Sequence, residues 1–423
     1  MNDDEPRPVL LATGTYDADA HPRVRVLVEG MRARGWRVDE VVEPLGVGTD
    51  RRVRALRDPA AVPGIVAAVG RAWWRLVPRL RRRMRFGPPP DAVLVGHLGH
   101  LDVGLVRLLT RPAPVVLDYL VSGAGTATDR GVGTTPVRWL LAALDRFALG
   151  RADVVVVDTD ERLAELPPRV RPRAVVVPVG ADERWFAAGR AVGLDAGTTT
   201  RPTVGASATS LPDPGTDPRT GPADLDAGSV TNVAGVVPAG TRPLSVIFFG
   251  LFTPLQGTTT IAAALRELDG VVTATVVGGG QDAAAADAVL RGVPGVRRLP
   301  WVAADELPGL VARHDVCLGI VGTTDKARRV VPTKVFQGAA AGCAIVTSDT
   351  PPQRRALGDA AWFVPPGDAP ALAAALRDLA ADDERLGRLR RAARARAELA
   401  FAPVTVVGEL DARLRGKQQG AAP

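Results

Sequence analysis

The chain has 423 residues and a formal net charge of +7, and this length predicts more than one domain. Apolar runs alternate with amphipathic stretches, which indicates α/β construction. No apolar run approaches the roughly 18 residues that span a bilayer, and we do not expect the acidic start to act as a signal peptide. Two cysteines and four histidines are too scattered for a metal site. We therefore expect a cytoplasmic protein without a bound metal, whose basic balance suits an anionic partner.

The first elements along the chain predict the start of a doubly wound sheet. Residues 9–12 predict a buried strand, residues 23–34 have the period of an amphipathic helix, and residues 36–42 predict a second strand. Gly14 permits a tight turn at the end of the first strand. This turn could face a ligand, but many glycine turns are only turns, and the residues leave both possibilities open.

The most basic region lies at residues 51–86. Trp73 and Trp74 lie there among seven arginines between Arg71 and Arg85. A basic helix that carries tryptophan is typical of a segment in an anionic membrane interface, so an anionic membrane surface is a candidate partner. A core-packed helix with a solvated cationic face is the alternative. Nucleic acid is not expected, because no recognition motif accompanies the charges.

Polar residues follow the predicted strands at residues 91–96 and 114–118. Parallel strands bring their carboxyl ends to one edge of a sheet, where α/β proteins place their chemistry. We expect these loops to form a ligand-binding edge, although each residue alone is more often structural. The candidates at this edge are Gly14, Arg23, His97, His100, Asp102, Asp118, Ser122, Asp129 and Arg130.

A change of composition divides the chain. From residue 187 to 242 Thr, Gly, Pro, Asp, Ala and Ser dominate, and no strand or helix period persists. Such a segment buries too little apolar area to offset its ordering entropy, so we expect a flexible insert. The predicted organisation is a Rossmann-like domain at residues 1–186, the insert, and a second Rossmann-like domain at residues 243–423, whose last helix is able to pack back on the first.

Three turns of the second half are expected to meet at one sheet edge, at residues 250–257, 278–281 and 321–334. Their glycines let backbone amides approach phosphate oxygens. The last turn leads into a helix that we expect to begin at Pro332. Free amides and a helix dipole would lie there beside cations, which predicts a diphosphate site. A surface loop with solvated charges is the alternative. The cations are Lys326, Arg328, Arg329 and Lys334.

Several sequence blocks resemble those of retaining glycosyltransferases of the GT-B fold, family-4 type. They are P-R-V-R-V-L-V-E-G-M-R-A-R-G (22–35), D-Y-L-V-S-G-A-G-T-A-T-D-R (118–130), V-V-P-V-G-A-D-E-R-W-F (176–186), F-F-G-L-F-T-P-L-Q-G (248–257), G-G-G-Q (278–281) and L-G-I-V-G-T-T-D-K-A-R-R-V-V-P-T-K (318–334). The last block is the most specific. The resemblance implies two Rossmann-like domains facing across a cleft, with a nucleotide-sugar donor on the second and an acceptor on the first.

The resemblance also implies roles for residues and partners. Transfer would proceed with retention and without a cofactor or obligatory metal, because a helix dipole and cations stabilise the departing diphosphate. The acceptor would be lipid-linked, a polysaccharide or another glycan, reached in the cytoplasm or peripherally at the inner face of the plasma membrane. The expected catalytic residues are Asp118, Lys334 and Arg329. The expected donor-binding residues are Gly250, Gln256, Gly257, Gly278, Gly280, Gln281, Lys326, Pro332, Thr333 and Gln337. The acceptor-side residues would be Gly14, Arg23, His97, Ser122, Asp129 and Arg130.

Four positions depart from the pattern of this family. Leu251 and Gln256 stand where many relatives carry Arg and Lys, and Arg329 and Gln337 stand where many carry two glutamates. Gln can hydrogen bond to a ribose hydroxyl, but without charge. Two other functions therefore stay open. One is a non-catalytic or weakly active sugar-nucleotide-binding protein that supports a partner enzyme. The other is a sugar-nucleotide epimerase, for which the second domain offers only His314.

Overall fold

The computed structural model describes residues 7–17, 21–47, 60, 62–96, 99–120, 122–129, 135–193, 243–268 and 270–419. Within these residues the chain forms two six-stranded parallel sheets. Four apolar cores, two for each sheet, lie between the sheets and the helices that cover them. The prediction of an α/β chain built from two Rossmann-like domains is confirmed.

Most strands of the first sheet are short, nearly continuous apolar runs, because helices cover both of its faces, whereas the edge strand Arg37–Val42 is half polar. Its strands are β1 (Val9–Gly14), β2 (Arg37–Val42), β3 (Ala92–Val95), β4 (Val115–Asp118), β5 (Val154–Val157) and β6 (Ala174–Val176). Its helices are α1 (Pro22–Ala33), α2 (Val62–Phe86), α3 (Asp102–Leu109), α4 (Gly123–Asp129), α5 (Thr135–Arg151) and α6 (Asp160–Glu165). The next helix, α7 (Glu183–Ala191), packs on helices of the second domain. The spatial order of the strands is β2-β1-β3-β4-β5-β6.

The second sheet repeats this construction with a different strand order. Its strands are β7 (Leu244–Phe249), β8 (Val272–Val277), β9 (Val296–Leu299), β10 (Val316–Leu318), β11 (Ala344–Ser348) and β12 (Ala361–Val364). Its helices are α8 (Thr258–Glu267), α9 (Ala283–Leu290), α10 (Leu307–Ala312), α11 (Thr333–Ala340), α12 (Pro351–Leu357), α13 (Ala369–Ala381) and α14 (Asp383–Ala400). The spatial order is β12-β11-β10-β7-β8-β9.

Each strand order contains one point at which the chain reverses its direction across the sheet. In the first sheet this switch point lies between β1 and β3, and in the second between β7 and β10. Ligands of open α/β sheets bind beyond the carboxyl ends of the strands at such points. The predicted Gly14 turn follows β1, and the predicted diphosphate site lies between the loops after β7 and β10.

The last two helices, α15 (Pro403–Val406) and α16 (Gly408–Gln419), pack on the first domain. Val406, Val407 and Leu410 join the core on the α1 side of the first sheet. Trp36 Nε1 also donates to Asp411 Oδ1 at 2.7 Å. The chain therefore returns to the first domain after completing the second sheet, and its last two helices stabilise the first domain.

Helix α7 runs past residue 187, where the predicted insert begins. The prediction placed this boundary too early, because Trp185 and Phe186 anchor the helix in an apolar core together with β7 residue Phe249. Residues 194–242, the remainder of the predicted insert, lie outside the described residues. None of the helices in the described part of the chain combines the length and apolar content needed to cross a bilayer.

Candidate functional site

Three turns of the second domain meet at its switch point. Phe252 N–H in the turn after β7 donates to the carbonyl of Gly279 after β8 at 2.8 Å, and a backbone bond of 3.2 Å joins the same turn to the segment after β10. Gly278 has a φ of 125°, and a β-carbon there would overlap the carbonyl oxygen of Gly250. These turns are close-packed backbone, which requires glycine.

A further glycine starts α8 beside the same turns. Gly257 is left-handed, with a φ of 68°, and a β-carbon on it would come within 2.6 Å of the amide nitrogen of Gly322. Thr258 follows as the first residue of α8, and its buried hydroxyl forms no hydrogen bond to a described residue. Thr258 was not among the predicted donor residues, although its place directly after Gly257 in the loop was a usable signal.

Lys334 lies in the first turn of α11, and its side chain extends across the switch point to the turn after β7. Its Nζ donates to Gln256 Oε1 and lies 3.7 Å from the centre of the Phe248 ring. Lys334 is only 5% exposed. A β-carbon on Gly250 would come within 3.3 Å of its Nζ. One cation is thus held between the end of β7, its glycine turn and the start of α11.

The surroundings of this amine change its protonation. Burial lowers the pKa of Lys334 to about 7, because desolvation disfavours the charged form. No described carboxylate makes an ion pair with it. An amine that is buried beside free helix amides and has no counter-ion can bind an anion, and the anion would in turn hold the proton on the amine.

The other donor candidates lie around this position. Pro332 is the N-cap of α11 and Thr333 its first helical residue, so the helix begins one residue later than predicted. Gln337 is buried one turn further along the helix. Gln281 is exposed at the rim of the β8 turn, and Lys326 precedes a short 3₁₀ turn.

Arg329 links the two domains. Its Nη1 donates to Glu165 Oε1 of α6 at 2.8 Å, and its carbonyl oxygen accepts from Thr159 Oγ1 at 3.0 Å. Arg355 of α12 makes a second ion pair across the domains, with Glu161 at 2.5 Å. A catalytic role for Arg329 would require it to leave Glu165. This geometry therefore favours a domain-linking role over the predicted catalytic one.

Buried charged side chains lie at the carboxyl ends of the strands of the first sheet. Arg23 Nε donates to Asp118 Oδ1 at 2.7 Å, and both side chains are buried. Asp158, directly after β5, is buried near them, and its burial raises its pKa although Arg23 opposes the shift. Both Nη atoms of Arg23, one oxygen of each carboxylate and the Tyr16 hydroxyl form no hydrogen bond to a described residue. Such groups are expected to hold water or ligand hydroxyls.

This cluster changes the interpretation of Asp118. The prediction gave Asp118 a catalytic role, but its side chain is fully buried against Arg23. This geometry favours a role in orienting Arg23, and the catalytic role of Asp118 stays a prediction. Asp158 was not among the predicted site residues, although the sequence placed it directly after an apolar strand, as it did Asp118.

Asp102 fixes the Gly14 turn. Its Oδ2 accepts from the N–H and the hydroxyl of Thr15, both at 2.8 Å, and its Oδ1 accepts from the Trp73 indole at 2.8 Å. Gly14 has a φ of 143°, and a β-carbon there would lie 3.3 Å from the same carboxylate. The turn after β1 is therefore held by residues of both α2 and α3.

Asp145 of α5 holds the loop after β4. It accepts from Ser122 Oγ at 2.8 Å and from Gly123 N–H at 3.0 Å, and its Oδ1 lies 3.2 Å from His100 Nε2. Burial alone would raise the pKa of Asp145, but the contacts with His100, Gly123 and Ser122 together lower it. Ser122 therefore shapes the start of α4, whose Gly125 N–H it accepts at 3.0 Å.

Three acceptor-side predictions cannot be placed. His97, Arg130 and the side chain of Asp129 lie outside the described residues. The part of the chain that is described contains no group of three His, Cys, Asp or Glu side chains able to hold a metal ion. Independence from metal stays a prediction.

Comparison with known proteins gives the same fold. The chain resembles sucrose-phosphate synthase from Thermosynechococcus elongatus, with a TM-score of 0.62 and 16% identity over 98% of this chain and 100% of that one. HepE from Anabaena in complex with UDP gives a TM-score of 0.59 and 12% identity over 97% and 100%. Trehalose 6-phosphate synthase from Burkholderia multivorans gives 0.60 and 14% over 99% and 100%. No curated protein matches the chain in sequence.

A family model adds to the shared fold. Residues 243–382, which include the three turns and Lys334, match the glycosyl transferases group 1 family. This segment extends from just before β7 to just after α13, so it contains nearly all of the second sheet domain. Residues 243–382 therefore match the glycosyl transferases group 1 family, and the chain as a whole has the GT-B fold.

Proposed function

We propose that the chain transfers a sugar from a nucleoside diphosphate sugar, with retention at the anomeric carbon, to a lipid-linked or other glycan acceptor. The observation that carries this proposal is the buried Lys334 at the start of α11, next to the glycine turns. A diphosphate would act as the counter-ion of the buried amine, and the backbone amides at the starts of α8 and α11 would donate hydrogen bonds to its oxygens. HepE has been crystallised with UDP and with UDP-glucose, so uridine nucleotides are the first to test.

The transfer breaks the bond between the anomeric carbon and the diphosphate oxygen and forms one to an acceptor oxygen. Negative charge develops on the departing diphosphate, and Lys334 with the helix amides would stabilise it there. The acceptor hydroxyl loses its proton, and the leaving diphosphate oxygen is the base that receives it. Retention follows when the acceptor attacks from the face that the diphosphate leaves.

The two glutamines that depart from the family pattern fit this scheme. Gln256 accepts a hydrogen bond from Lys334 and so fixes the position of the amine. Gln337 lies three residues after Lys334 on the same side of α11. Its amide would bind a ribose hydroxyl without adding negative charge beside the diphosphate.

A donor screen tests the proposal. Nucleoside diphosphates and their sugars are added to the protein and the melting temperature is measured, since a ligand stabilises the state to which it binds. At least one nucleoside diphosphate sugar should raise the melting temperature and should be slowly hydrolysed. Proton NMR should then show that the sugar is first released with its original anomeric configuration. Inversion would contradict retention, and the absence of any stabilising nucleotide would contradict the donor assignment.

Two further outcomes of the screen separate neighbouring functions. Activity that survives EDTA supports the prediction that no metal is required. Binding without transfer to any acceptor, and without hydrolysis, favours a non-catalytic nucleotide-binding role. An epimerase is not favoured, because His314 precedes β10 and its ring nitrogens lie 2.9 Å from Leu310 O and Thr275 Oγ1, at the amino end of the strand.

We also propose peripheral association with an anionic membrane through α2. Trp74 is 83% exposed and shares the outward face of α2 with Arg71, Arg81, Arg82 and Arg85. None of these four arginines forms an ion pair with a described residue.

A sedimentation assay tests the role of α2. Replacing the outward-facing Arg81, Arg82 and Arg85 with Glu should abolish sedimentation with anionic vesicles. Arg83 should be kept, because it pairs with Asp39. Unchanged sedimentation of the triple variant would contradict the proposal.

A further inference from the structure

The outward face of α5 is apolar. Trp139 is 68% exposed, Leu140 is 63% exposed and Phe147 is 42% exposed. Residues spaced by three, four, seven or eight positions share one side of a helix, so these side chains form one stripe with exposed Pro136 and half-buried Ala143. We call these five residues the α5 stripe. A surface helix normally carries polar residues on this side, so the pattern indicates a partner.

Arginines border the α5 stripe on both sides. By helical geometry Arg146 follows one edge and Arg151 the other, and the Arg151 guanidinium lies 5.0 Å from the centre of the Phe147 ring. Neither makes an ion pair with a described residue. The combination of an apolar stripe and uncompensated positive charge at its edges is complementary to an anionic lipid interface.

The α5 stripe lies on the same side of the first sheet as the face already assigned to α2. Helix α3 lies between α2 and α5 and contacts both. It adds Leu108, which is exposed. Close packing of α3 on α5 is enforced at Gly104, where a β-carbon would come within 2.8 Å of the Phe147 ring. Trp74, Leu108 and Trp139 therefore lie on three adjacent helices that cover the same side of the first sheet.

The α5 stripe is also coupled to the acceptor side of the cleft. Helix α5 leads into β5 and runs against the direction of the strands, so its first turns lie near the carboxyl edge of the sheet. On its inner face Asp145 binds Ser122 and Gly123 of the loop after β4. Leu141 lies 3.4 Å from the position of a β-carbon on Gly123.

We propose that the α5 stripe inserts into the interface of an anionic bilayer and that the acceptor is carried by that bilayer. The second part rests on the proposed glycosyl transfer, whereas the first does not. A second copy of the chain is a less suitable occupant, because a two-fold contact through the α5 stripe would bring the arginine borders of both copies together. With α2 and α5 both at the interface, the loop that Asp145 holds faces a substrate delivered from the lipid phase.

Vesicle binding tests the inserted surface without nucleotide. The full chain is sedimented with vesicles of phosphatidylcholine alone and with phosphatidylglycerol added, as wild type, as Trp139→Ser with Leu140→Ser, and as Trp301→Ser. Trp301 is 74% exposed in the second domain and serves as the matched control. The wild type and the control should bind only vesicles that contain phosphatidylglycerol. The double variant should bind at least about tenfold more weakly, because two large apolar side chains no longer enter the interface.

Two measurements make the outcomes distinct. Melting temperatures of all three proteins should agree, which shows that the exposed substitutions leave the fold intact. UDP binding measured without vesicles reports on the donor proposal separately. Equal vesicle binding by wild type and double variant would overturn the α5 proposal. So would a concentration-dependent dimer that the double variant abolishes while vesicles have no effect, since the α5 stripe would then join two copies.

Discussion

The two sheets of this protein differ in the groups that line their switch points. In the second domain the point between β7 and β10 is lined by glycine backbone, helix amides and one lysine. In the first domain the carboxyl edge is filled by the buried ion pair of Arg23 and Asp118 and by the buried carboxyl group of Asp158. A site lined by glycine backbone has room for a diphosphate and offers backbone N–H groups as hydrogen-bond donors. The buried ionic site fixes the shape of its domain, and its unpaired polar atoms are expected to hold water or ligand hydroxyls.

The largest effect is expected where the first domain buries its charges. Arg23→Met would leave Asp118 buried without its ion-pair partner and would remove one of the two cations near Asp158, which should cost about 3–5 kcal/mol of unfolding free energy. Urea denaturation measures this loss. Arg32→Met on the same helix removes an exposed pair with Glu40 and a 3.3 Å hydrogen bond to the Val38 carbonyl, and it should cost about 1 kcal/mol. Equal effects of the two variants would contradict a special role for the buried cluster.

A single methyl group in the turn after β8 should destabilise the second domain. Gly278→Ala combines a positive φ with overlap on the carbonyl of Gly250, so we expect a loss of about 2–4 kcal/mol and of nucleotide binding. Gly279→Ala is the control, because a β-carbon there meets no atom within 4 Å. Thermal melting and nucleotide titration measure both variants. A Gly278→Ala protein that still binds nucleotide normally would show that the turn need not be close-packed.

These two variants also show what the sequence could predict. Glycine turns, strand ends and the start of α11 are set within a few residues, so the three turns and Lys334 could be placed in advance. The bond between Arg23 and Asp118 joins residues 95 positions apart, and the bond between Arg329 and Glu165 joins residues 164 apart. Local patterns carry no signal for such pairs, which is why Asp118 and Arg329 were given catalytic roles that their ion pairs do not favour.

The lysine should make donor binding depend on pH. Its pKa is about 7 in the free protein, and a bound diphosphate raises it, so binding takes up a proton above pH 7 and little below it. Affinity should therefore fall by up to about tenfold for each pH unit above 7. Calorimetry at pH 8 in buffers of different ionisation enthalpy measures the uptake. Lys334→Met should take up no proton at this site, and equal uptake by both proteins would contradict the assignment.

The smallest effect is expected at the contacts between the domains. The pair of Arg329 and Glu165 is partly exposed, so Glu165→Gln should change stability by less than about 1 kcal/mol. Its effect on nucleotide affinity separates two roles of Arg329. If Arg329 only links the domains, Arg329→Ala and Glu165→Gln should act alike. If released Arg329 reaches the donor, Arg329→Ala should weaken binding and Glu165→Gln should strengthen it.

The most direct measurement is a calorimetric titration with UDP and the other nucleoside diphosphates at pH 7. Lys334→Met keeps the size of the side chain and removes its charge, and Arg328→Met removes an exposed cation from the same loop. We predict that Lys334→Met weakens binding at least about tenfold, the scale of a hydrogen bond to a charged group, whereas Arg328→Met binds as the wild type does. A folded Lys334→Met protein with unchanged affinity would contradict the account that this lysine holds the diphosphate.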